Sequence, residues 1–113
     1  RFRGRQQVTL VSEDPLPHQK AFVDAYKQEY NRLPKAPEAE GFDALNVIAK
    51  AIAKVGPEAG NEAICNAIRA PYQGITTNYD FSADDMTGIK VPDFIYSKLT
   101  NGQFSRLPFR VAQ

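Results

Sequence analysis

The segment from Phe42 to Val55 restricts the possible folds of this 113-residue chain more than any other part of it. Its polar residues recur at intervals of three and four positions, which places them on one narrow stripe of an α-helix: Asp43, Asn46, Lys50 and Lys54. The rest of the circumference is apolar, so we expect this helix to be buried over most of its surface. Gly56 and Pro57 are expected to end it.

The other segments alternate between the residue spacing of strands and that of helices. Phe22, Tyr26 and Tyr30 recur every four residues, which predicts an amphipathic helix. Asn101-Gly102 predicts a hairpin, because both residues tolerate positive φ angles. The predicted order is a strand at Gln7–Val11, helices at Pro17–Asn31, Phe42–Val55 and Asn61–Ala70, and strands at Ile75–Phe81, at Gly88–Leu99 and after Asn101-Gly102. This order indicates an α/β fold.

Composition excludes several classes of function. The 14 Lys and Arg residues nearly balance the 13 Asp and Glu residues, and a net charge of +1 provides no field that would hold nucleic acid. The longest apolar run, Val47–Val55, is interrupted by lysines and is far shorter than the roughly 20 residues of a membrane span. Cys65 is the single cysteine, so no disulfide can form within the chain.

No group of residues in the sequence has the pattern of a catalytic, metal or cofactor site. His18 has no second histidine at metal spacing and is expected at a helix start, and Cys65 is expected to face inward from the third helix. The acidic turn Asp80-x-Ser82-x-Asp84 begins like a calcium loop but lacks the later glycine and glutamate of such loops. We therefore expect no enzyme activity, no cofactor and no bound metal.

Two charged clusters have both a structural and a functional interpretation. Arg1, Arg3 and Arg5 form a basic tip that either contacts phosphate or is a solvated chain end. Glu38 and Glu40 precede the predicted second helix, where acids stabilise the helix dipole, although paired carboxylates also suit acid–base catalysis. We interpret the two glutamates as helix-capping residues.

The order of several short motifs resembles the C-terminal third of type I periplasmic solute-binding proteins of the branched-chain amino acid transport class. The resemblance covers about residues 8–107 and depends on order and spacing, since no single motif is specific. The matching segments are Ala21-Phe22-Val23-Asp24-Ala25-Tyr26, Tyr30 with Pro34, Phe42-Asp43-Ala44-Leu45, Ala51-Ile52-Ala53, Tyr72-Gln73-Gly74-Ile75-Thr76, Tyr79-Asp80-Phe81 and Asn101-Gly102-Gln103-Phe104. Thr77 stands where the family often repeats a glycine, and Asp84-Asp85-Met86 replaces a tighter turn, so the loop before Gly88 is expected to differ.

The resemblance implies part of one lobe of a two-lobed α/β protein, built from a strand, three helices and three strands that include the late hairpin. Residues 1–113 would form a single C-terminal segment, with residues 1–6 a disordered or boundary remnant. The strands near Val8–Val11 and Lys90–Tyr96 would cross the hinge between the lobes. The apolar second helix needs more cover than this chain supplies, so we expect a longer natural protein and self-association of the isolated chain.

Proteins of this family close two lobes on a small ligand. The resemblance therefore implies the substrate-binding component of an ABC importer for amino acids or a similar small carboxylate, with a membrane permease as partner and a periplasmic location. One ligand-contact region of the family falls on Pro37, Glu38 and Ala39, although Glu38 is equally well explained as an exposed helix-start acid. Most other contacts lie outside this chain, so the segment alone is not expected to bind ligand. A ligand-sensing regulatory or receptor module of the same fold is the alternative.

Overall fold

The computed structural model describes residues 5–108. These residues form a helical unit, residues 17–79, and a small three-stranded sheet from residues 5–8, 95–100 and 103–106. The elements are β1 (Arg5–Val8), α1 (Pro17–Tyr30), α2 (Ala36–Val55), α3 (Gly60–Ile68), β2 (Tyr72–Gln73), β3 (Asn78–Tyr79), β4 (Ile95–Thr100) and β5 (Gln103–Arg106). The radius of gyration is 16.2 Å, so the chain is less compact than a typical domain of this length, for which about 13 Å is expected. The α/β class and the order of strand, three helices and later strands are confirmed.

The chain begins its first strand earlier than the sequence predicts. β1 spans Arg5–Val8 instead of Gln7–Val11, so two residues of the expected terminal remnant, Arg5 and Gln6, are part of a strand. The remaining residues of that remnant, together with Arg1 and Arg3 of the basic tip, lie outside the described residues.

The predicted first helix is confirmed, including both of its ends. Pro17 occupies the first helical position, where its missing N–H removes no hydrogen bond. At the other end Asn31 adopts a left-handed conformation with a φ of 53°, and its N–H donates to the carbonyl of Lys27 at 2.8 Å. The fully buried Gln19 of α1 donates from Nε2 to the carbonyls of Thr9 and Ile75, at 3.0 and 2.9 Å. Gln19 thereby links α1 to the segment after β1 and to the turn after β2.

The orientation of α2 differs from the prediction. Asp43, assigned to an outward polar stripe, is fully buried, whereas Phe42, Leu45 and Ile48 are 45%, 68% and 45% exposed. The prediction of a helix buried over most of its surface is therefore wrong for this chain. α1, α3 and the turn after β2 cover only one side of α2, and the carboxylate of Asp43 is drawn inward by hydrogen bonds to that turn. We call Phe42, Leu45 and Ile48 the outer face of α2.

The long strand predicted at Ile75–Phe81 is also absent from the described structure. Only Asn78–Tyr79 is extended there, as β3, and it pairs antiparallel with β2. The residues between form a tight turn, in which the N–H of Gly74 donates to the carbonyl of Thr77 at 2.9 Å. Backbone groups in this turn bond to α2 instead of extending a sheet, which is why the β-branched run does not form a strand.

The later strands form a three-stranded antiparallel sheet in the order β1-β4-β5. The predicted strand at Gly88–Leu99 is shorter than expected: Val91–Asp93 forms a 3₁₀ turn that contains Pro92, and β4 begins only at Ile95. The predicted hairpin is confirmed, because Asn101 and Gly102 join β4 to β5 with φ angles of 52° and 76°. The two segments expected to cross the hinge lie side by side, with Val8 opposite Ile95.

One polar cluster joins the sheet to the helical unit. The backbone N–H of Arg106 in β5 donates to the carboxylate of Asp14 at 2.9 Å, and its Nε donates to the Asp14 carbonyl at 2.7 Å. Asp14 belongs to the loop between β1 and α1, so these hydrogen bonds connect the sheet to the segment that leads into the helices. Within residues 5–108 no helix is both long enough and apolar enough to cross a membrane.

Candidate functional site

The predicted ligand-contact residues Pro37, Glu38 and Ala39 lie in the first turn of α2, which begins at Ala36 and not after them. Pro37 is exposed, Glu38 is partly buried and Ala39 is fully buried. The methyl group of Ala39 packs in the small core with Leu10 and Val23. Of the three, Pro37 therefore presents the most accessible side chain.

Glu38 is engaged by the protein itself. Its Oε2 accepts the backbone N–H of Lys35 at 2.7 Å, which caps the start of α2, and its Oε1 accepts Arg32 Nη2 at 2.9 Å. The Arg32 guanidinium and the Lys35 N–H lower the pKa of the Glu38 carboxyl below its ordinary value. The capping interpretation of Glu38 is confirmed.

An aromatic ring supports the Arg32–Glu38 ion pair. The Arg32 guanidinium lies 5.1 Å from the centre of the Tyr26 ring, and Arg32 Nη2 is 2.6 Å from the Tyr26 hydroxyl. Glu40 points elsewhere and accepts the hydroxyl of Thr9 at 3.2 Å. The two glutamates have different partners, so the arrangement does not form a catalytic carboxylate pair.

A cleft of about 470 Å³ lies beside the start of α2, between the sheet and the helical unit. We call it the junction cleft. Its apolar walls come from both units: Val8, Leu10, Leu33, Pro34, Ala36 and Phe104. Its polar residues are Ser12, Glu13 and Lys35. A cleft of a few hundred cubic ångströms with apolar walls and few polar groups has the size and chemistry of a small-molecule site.

The polar residues of the junction cleft differ in availability. The Ser12 hydroxyl donates to the carbonyl of Pro34, so this hydroxyl is already engaged. Among the described residues, neither the Glu13 carboxylate nor the Lys35 ammonium forms an ion pair. The cleft therefore offers one negative and one positive side chain at its apolar walls.

Asp43 is a fully buried polar residue of α2 that holds the turn at Gly74–Thr77. Its Oδ1 accepts the N–H of Ile75 at 2.7 Å, and its Oδ2 accepts the N–H and the hydroxyl of Thr76 at 2.8 and 2.7 Å. The Thr76 hydroxyl also lies 2.7 Å from the hydroxyl of Tyr79, whose pKa is raised by burial. These bonds fix the turn to α2 and give Asp43 a structural role.

A second cleft of about 430 Å³ lies along β2 and β3. Its acidic residues serve the local backbone: Asp80 accepts the N–H of Ser82 at 3.0 Å, and Asp93 accepts the N–H of Lys90 at 2.7 Å. The bonds from Ser82 lower the pKa of Asp80. Compared with the junction cleft, this cleft has less apolar wall, and both of its acidic residues accept a hydrogen bond from the backbone.

The remaining sequence candidates lie apart from these clefts. His18 is exposed in the first turn of α1, as expected. Cys65 is exposed, so the prediction that it faces inward is wrong, whereas Ile64 and Ile68 of the same helix are partly buried. Within residues 5–108, no group of three or more His, Cys, Asp and Glu side chains could hold a metal ion.

Solved structures share this arrangement of elements. A putative branched-chain amino acid ABC transporter protein from Rhodospirillum rubrum is 26% identical, with a TM-score of 0.71 over 91% of this chain and 30% of its own. A solute-binding protein of an ABC transporter from R. palustris, in complex with benzoate, is 17% identical, with a TM-score of 0.75 over 91% of this chain and 28% of its own. An ABC transporter substrate-binding protein from Desulfitobacterium hafniense, in complex with Leu, is 23% identical, with a TM-score of 0.65 over 91% and 30%.

These similarities define the class of fold. The chain has the fold of a segment of type I periplasmic solute-binding proteins, and the resemblance found in the sequence is confirmed. The chain spans about 30% of the length of these structures. The similar structures carry the names of transport and solute-binding proteins and not of enzymes. No family model and no curated protein sequence matches the chain.

Proposed function

We propose that the chain is a C-terminal segment of the substrate-binding component of an ABC importer. The observation that carries this proposal is the shared fold over 91% of the chain with proteins named for that role. The course of the chain adds support, because it passes between the sheet and the helical unit after β1 and again before β4, and such connecting segments can serve as a hinge. The protein would act in the periplasm and deliver its ligand to a membrane permease.

The proposed ligand is an amino acid or a similar small carboxylate. Leu and benzoate, bound by two of the similar structures, share a carboxylate and an apolar body. The junction cleft offers apolar walls and the ammonium of Lys35 for such a molecule. The ligand would be captured by hinge closure: contacts to both units stabilise the closed state, and the transporter recognises that state. Pro37, with the first turn of α2, is proposed to form part of the contact surface.

Two measurements on the protein as its source organism produces it test this proposal. Whole-protein mass spectrometry is expected to give a product of several hundred residues, because the similar structures are more than three times as long. Calorimetric titration of that product with L-leucine and with benzoate is expected to show binding of at least one. A product that binds neither, or one fused to a kinase or DNA-binding domain, would overturn the importer role; the fusion would establish the sensory alternative.

For the isolated chain, we propose self-association through the outer face of α2. Its three large apolar side chains are each 45% exposed or more. Adjacent apolar side chains exposed on a helix favour association with a second apolar surface. A second copy of the chain supplies that surface when no other polypeptide covers it.

A further inference from the structure

In the described part of the chain, the helices and the strands of the sheet make few direct contacts with each other. Extensive contacts lie within one unit: between β1 and β4 and between β4 and β5 in the sheet, and between α2 and α3 and between β2 and β3 in the helical unit. The relative position of the two units therefore depends strongly on the segments that join them. The first such segment, residues 9–16, runs from β1 to α1.

The first part of this segment is held by the helical unit. Leu10 is buried in the small core with Val23 of α1. The carbonyl of Thr9 accepts Gln19 Nε2 of α1 at 3.0 Å, and the Thr9 hydroxyl donates to Glu40 of α2 at 3.2 Å. This part of the segment therefore moves with the helices when the two units change their relative position.

The second part of the segment is tied to the sheet through Asp14 and Arg106. Asp14 Oδ2 accepts the backbone N–H of Arg106 in β5 at 2.9 Å, and the Asp14 carbonyl accepts Arg106 Nε at 2.7 Å. Arg106 Nη2 lies 3.3 Å from Asp14 Oδ1, and both side chains of this ion pair are partly buried. Several hydrogen bonds between the same two residues fix their orientation as well as their distance. We call this pair the junction clamp.

The junction clamp lies beside the junction cleft and joins its two walls. Arg106 shares a face of β5 with Phe104, which lines the cleft from the sheet side. On the other side, Pro15 and Pro17 follow Asp14, and their rings restrict the backbone between the clamp and the first turn of α1. A change in the clamp therefore alters how the sheet is oriented toward the helices.

We propose that Asp14 and Arg106 are positioning residues that set the angle between the two units in the absence of ligand. The inference deepens the proposed function, because it names what controls the hinge, and it rests on that function for its role in ligand capture. Neither residue lines the junction cleft, so the clamp acts on the cleft through the position of its walls. A ligand that contacts both walls then closes the cleft from one defined starting position.

The angle is tested by measuring the distance between one spin label on each unit with pulsed electron paramagnetic resonance. One nitroxide is attached to the exposed Cys65 of α3 and the other to Gln103→Cys in β5, also at an exposed position. The protein is the product that its source organism makes, with cysteines outside this chain replaced by serine. The clamp variants are Asp14→Ala and Arg106→Met. Asp24→Ala, which removes an exposed ion pair within α1, is the matched control.

Without ligand, the distance distribution should be about twofold broader in both clamp variants than in the parent protein and the control. Arg106→Lys keeps the charge but loses the fork of the guanidinium, so it should recover only part of the narrow distribution. Asp14→Asn keeps an acceptor for the backbone N–H of Arg106 and provides a milder change if Asp14→Ala does not fold, which circular dichroism checks. Saturating L-leucine should give the parent and the variants the same distribution, because ligand contacts then fix the two units.

The ligand-free and ligand-bound measurements overturn different statements. Equal ligand-free distributions in the parent and the folded clamp variants would overturn the inference and leave the solute-binding function in place. Equal broadening in Asp24→Ala would overturn it as well, since the effect would not be specific to the clamp. The absence of binding to L-leucine and to benzoate would overturn the proposed function and the role of the clamp in ligand capture, whereas the ligand-free distances would still decide whether the clamp sets the angle.

Discussion

The carboxylate of Asp43 accepts both the backbone N–H and the hydroxyl of Thr76, at 2.8 and 2.7 Å, although the two residues lie 33 positions apart in sequence. The pair fixes a turn of the β2–β3 hairpin to the middle of α2. Gly74 belongs to the same arrangement, because a Cβ atom there would lie 2.6 Å from Asp43 Oδ2. The segments around Asp43 and around Gly74, which are both among the motifs that resemble the family, are thus in direct contact with each other.

Replacement of Asp43 by Ala is expected to lower the free energy of unfolding by about 3 kcal/mol or more. The change removes the acceptor of the partly buried N–H of Ile75 and of the buried N–H of Thr76. Urea denaturation followed by circular dichroism measures the effect. Asp84→Asn, at an exposed position, is the matched control and should change stability little. Equal stabilities of the two variants would contradict the structural role of Asp43.

The structure shows which parts of the fold local sequence can specify. The end of α1 at Asn31 and the hairpin at Asn101-Gly102 were predictable, because the conformation of each depends on a residue that tolerates a positive φ. The inward position of Asp43 was not, because residue spacing shows that a polar stripe exists but not what lies against it. Its partners are backbone N–H groups, which sequence periodicity does not reveal.

The candidate site was predictable to a smaller extent. The resemblance directed attention to Pro37, Glu38 and Ala39, whereas the junction cleft is lined by the neighbouring residues Lys35 and Ala36 and by none of these three. The cleft itself joins residues from Val8 to Phe104, so its lining depends on how the sheet is set against the helices. Glu13 and Lys35 both line the cleft, although nothing in the local sequence marks either of them as a cleft residue.

Thr76 and Thr77 provide a matched pair of adjacent buried threonines. Among the described residues, the Thr77 hydroxyl is buried without a hydrogen-bond partner, whereas the Thr76 hydroxyl contacts Asp43 and Tyr79. Thr77→Val should therefore be neutral or stabilise by up to about 1 kcal/mol, and Thr76→Val should destabilise by about 2 kcal/mol. Thermal denaturation of both variants tests the difference. A larger loss from Thr77→Val than from Thr76→Val would contradict the hydrogen-bond assignment.

The lowered pKa of Glu38 predicts that stability depends on pH. Its pKa in the folded protein is lowered, first by the hydrogen bond from Arg32 and then by that from Lys35. A group with a lowered folded pKa stabilises the protein above its unfolded pKa, and that stabilisation is lost as the pH falls through the folded pKa. Glu38→Gln should lower the melting temperature at neutral pH and have little effect once the pH is well below 4.5. A melting-temperature series across pH for both proteins measures this, and an unchanged difference at all pH values would exclude the mechanism.

Replacing each of two glycines by alanine should change the free energy of unfolding in opposite directions. Gly102 has a φ of 76° in the β4–β5 turn, so Gly102→Ala should cost about 1 kcal/mol of unfolding free energy. Gly41 lies within α2 with open space around its Cα, and Gly41→Ala should stabilise by about 0.5–1 kcal/mol. Chemical denaturation of the two variants under the same conditions compares them. Destabilisation by both would show that residue 41 contacts an unrecognised neighbour.

Leu45→Glu tests whether the outer face of α2 drives self-association of the isolated chain. Leu45 is 68% exposed at the middle of that face, so a carboxylate there would have to be desolvated in any contact between copies. Sedimentation velocity is expected to show concentration-dependent association of the unmodified chain and a monomer for Leu45→Glu. Ala25→Glu places the same charge on an exposed position of α1 and should leave the association intact. An unmodified chain that stays monomeric at all concentrations would refute the proposal. Association that persists in Leu45→Glu would instead assign the contact to another surface, such as the open edges of the β1-β4-β5 sheet.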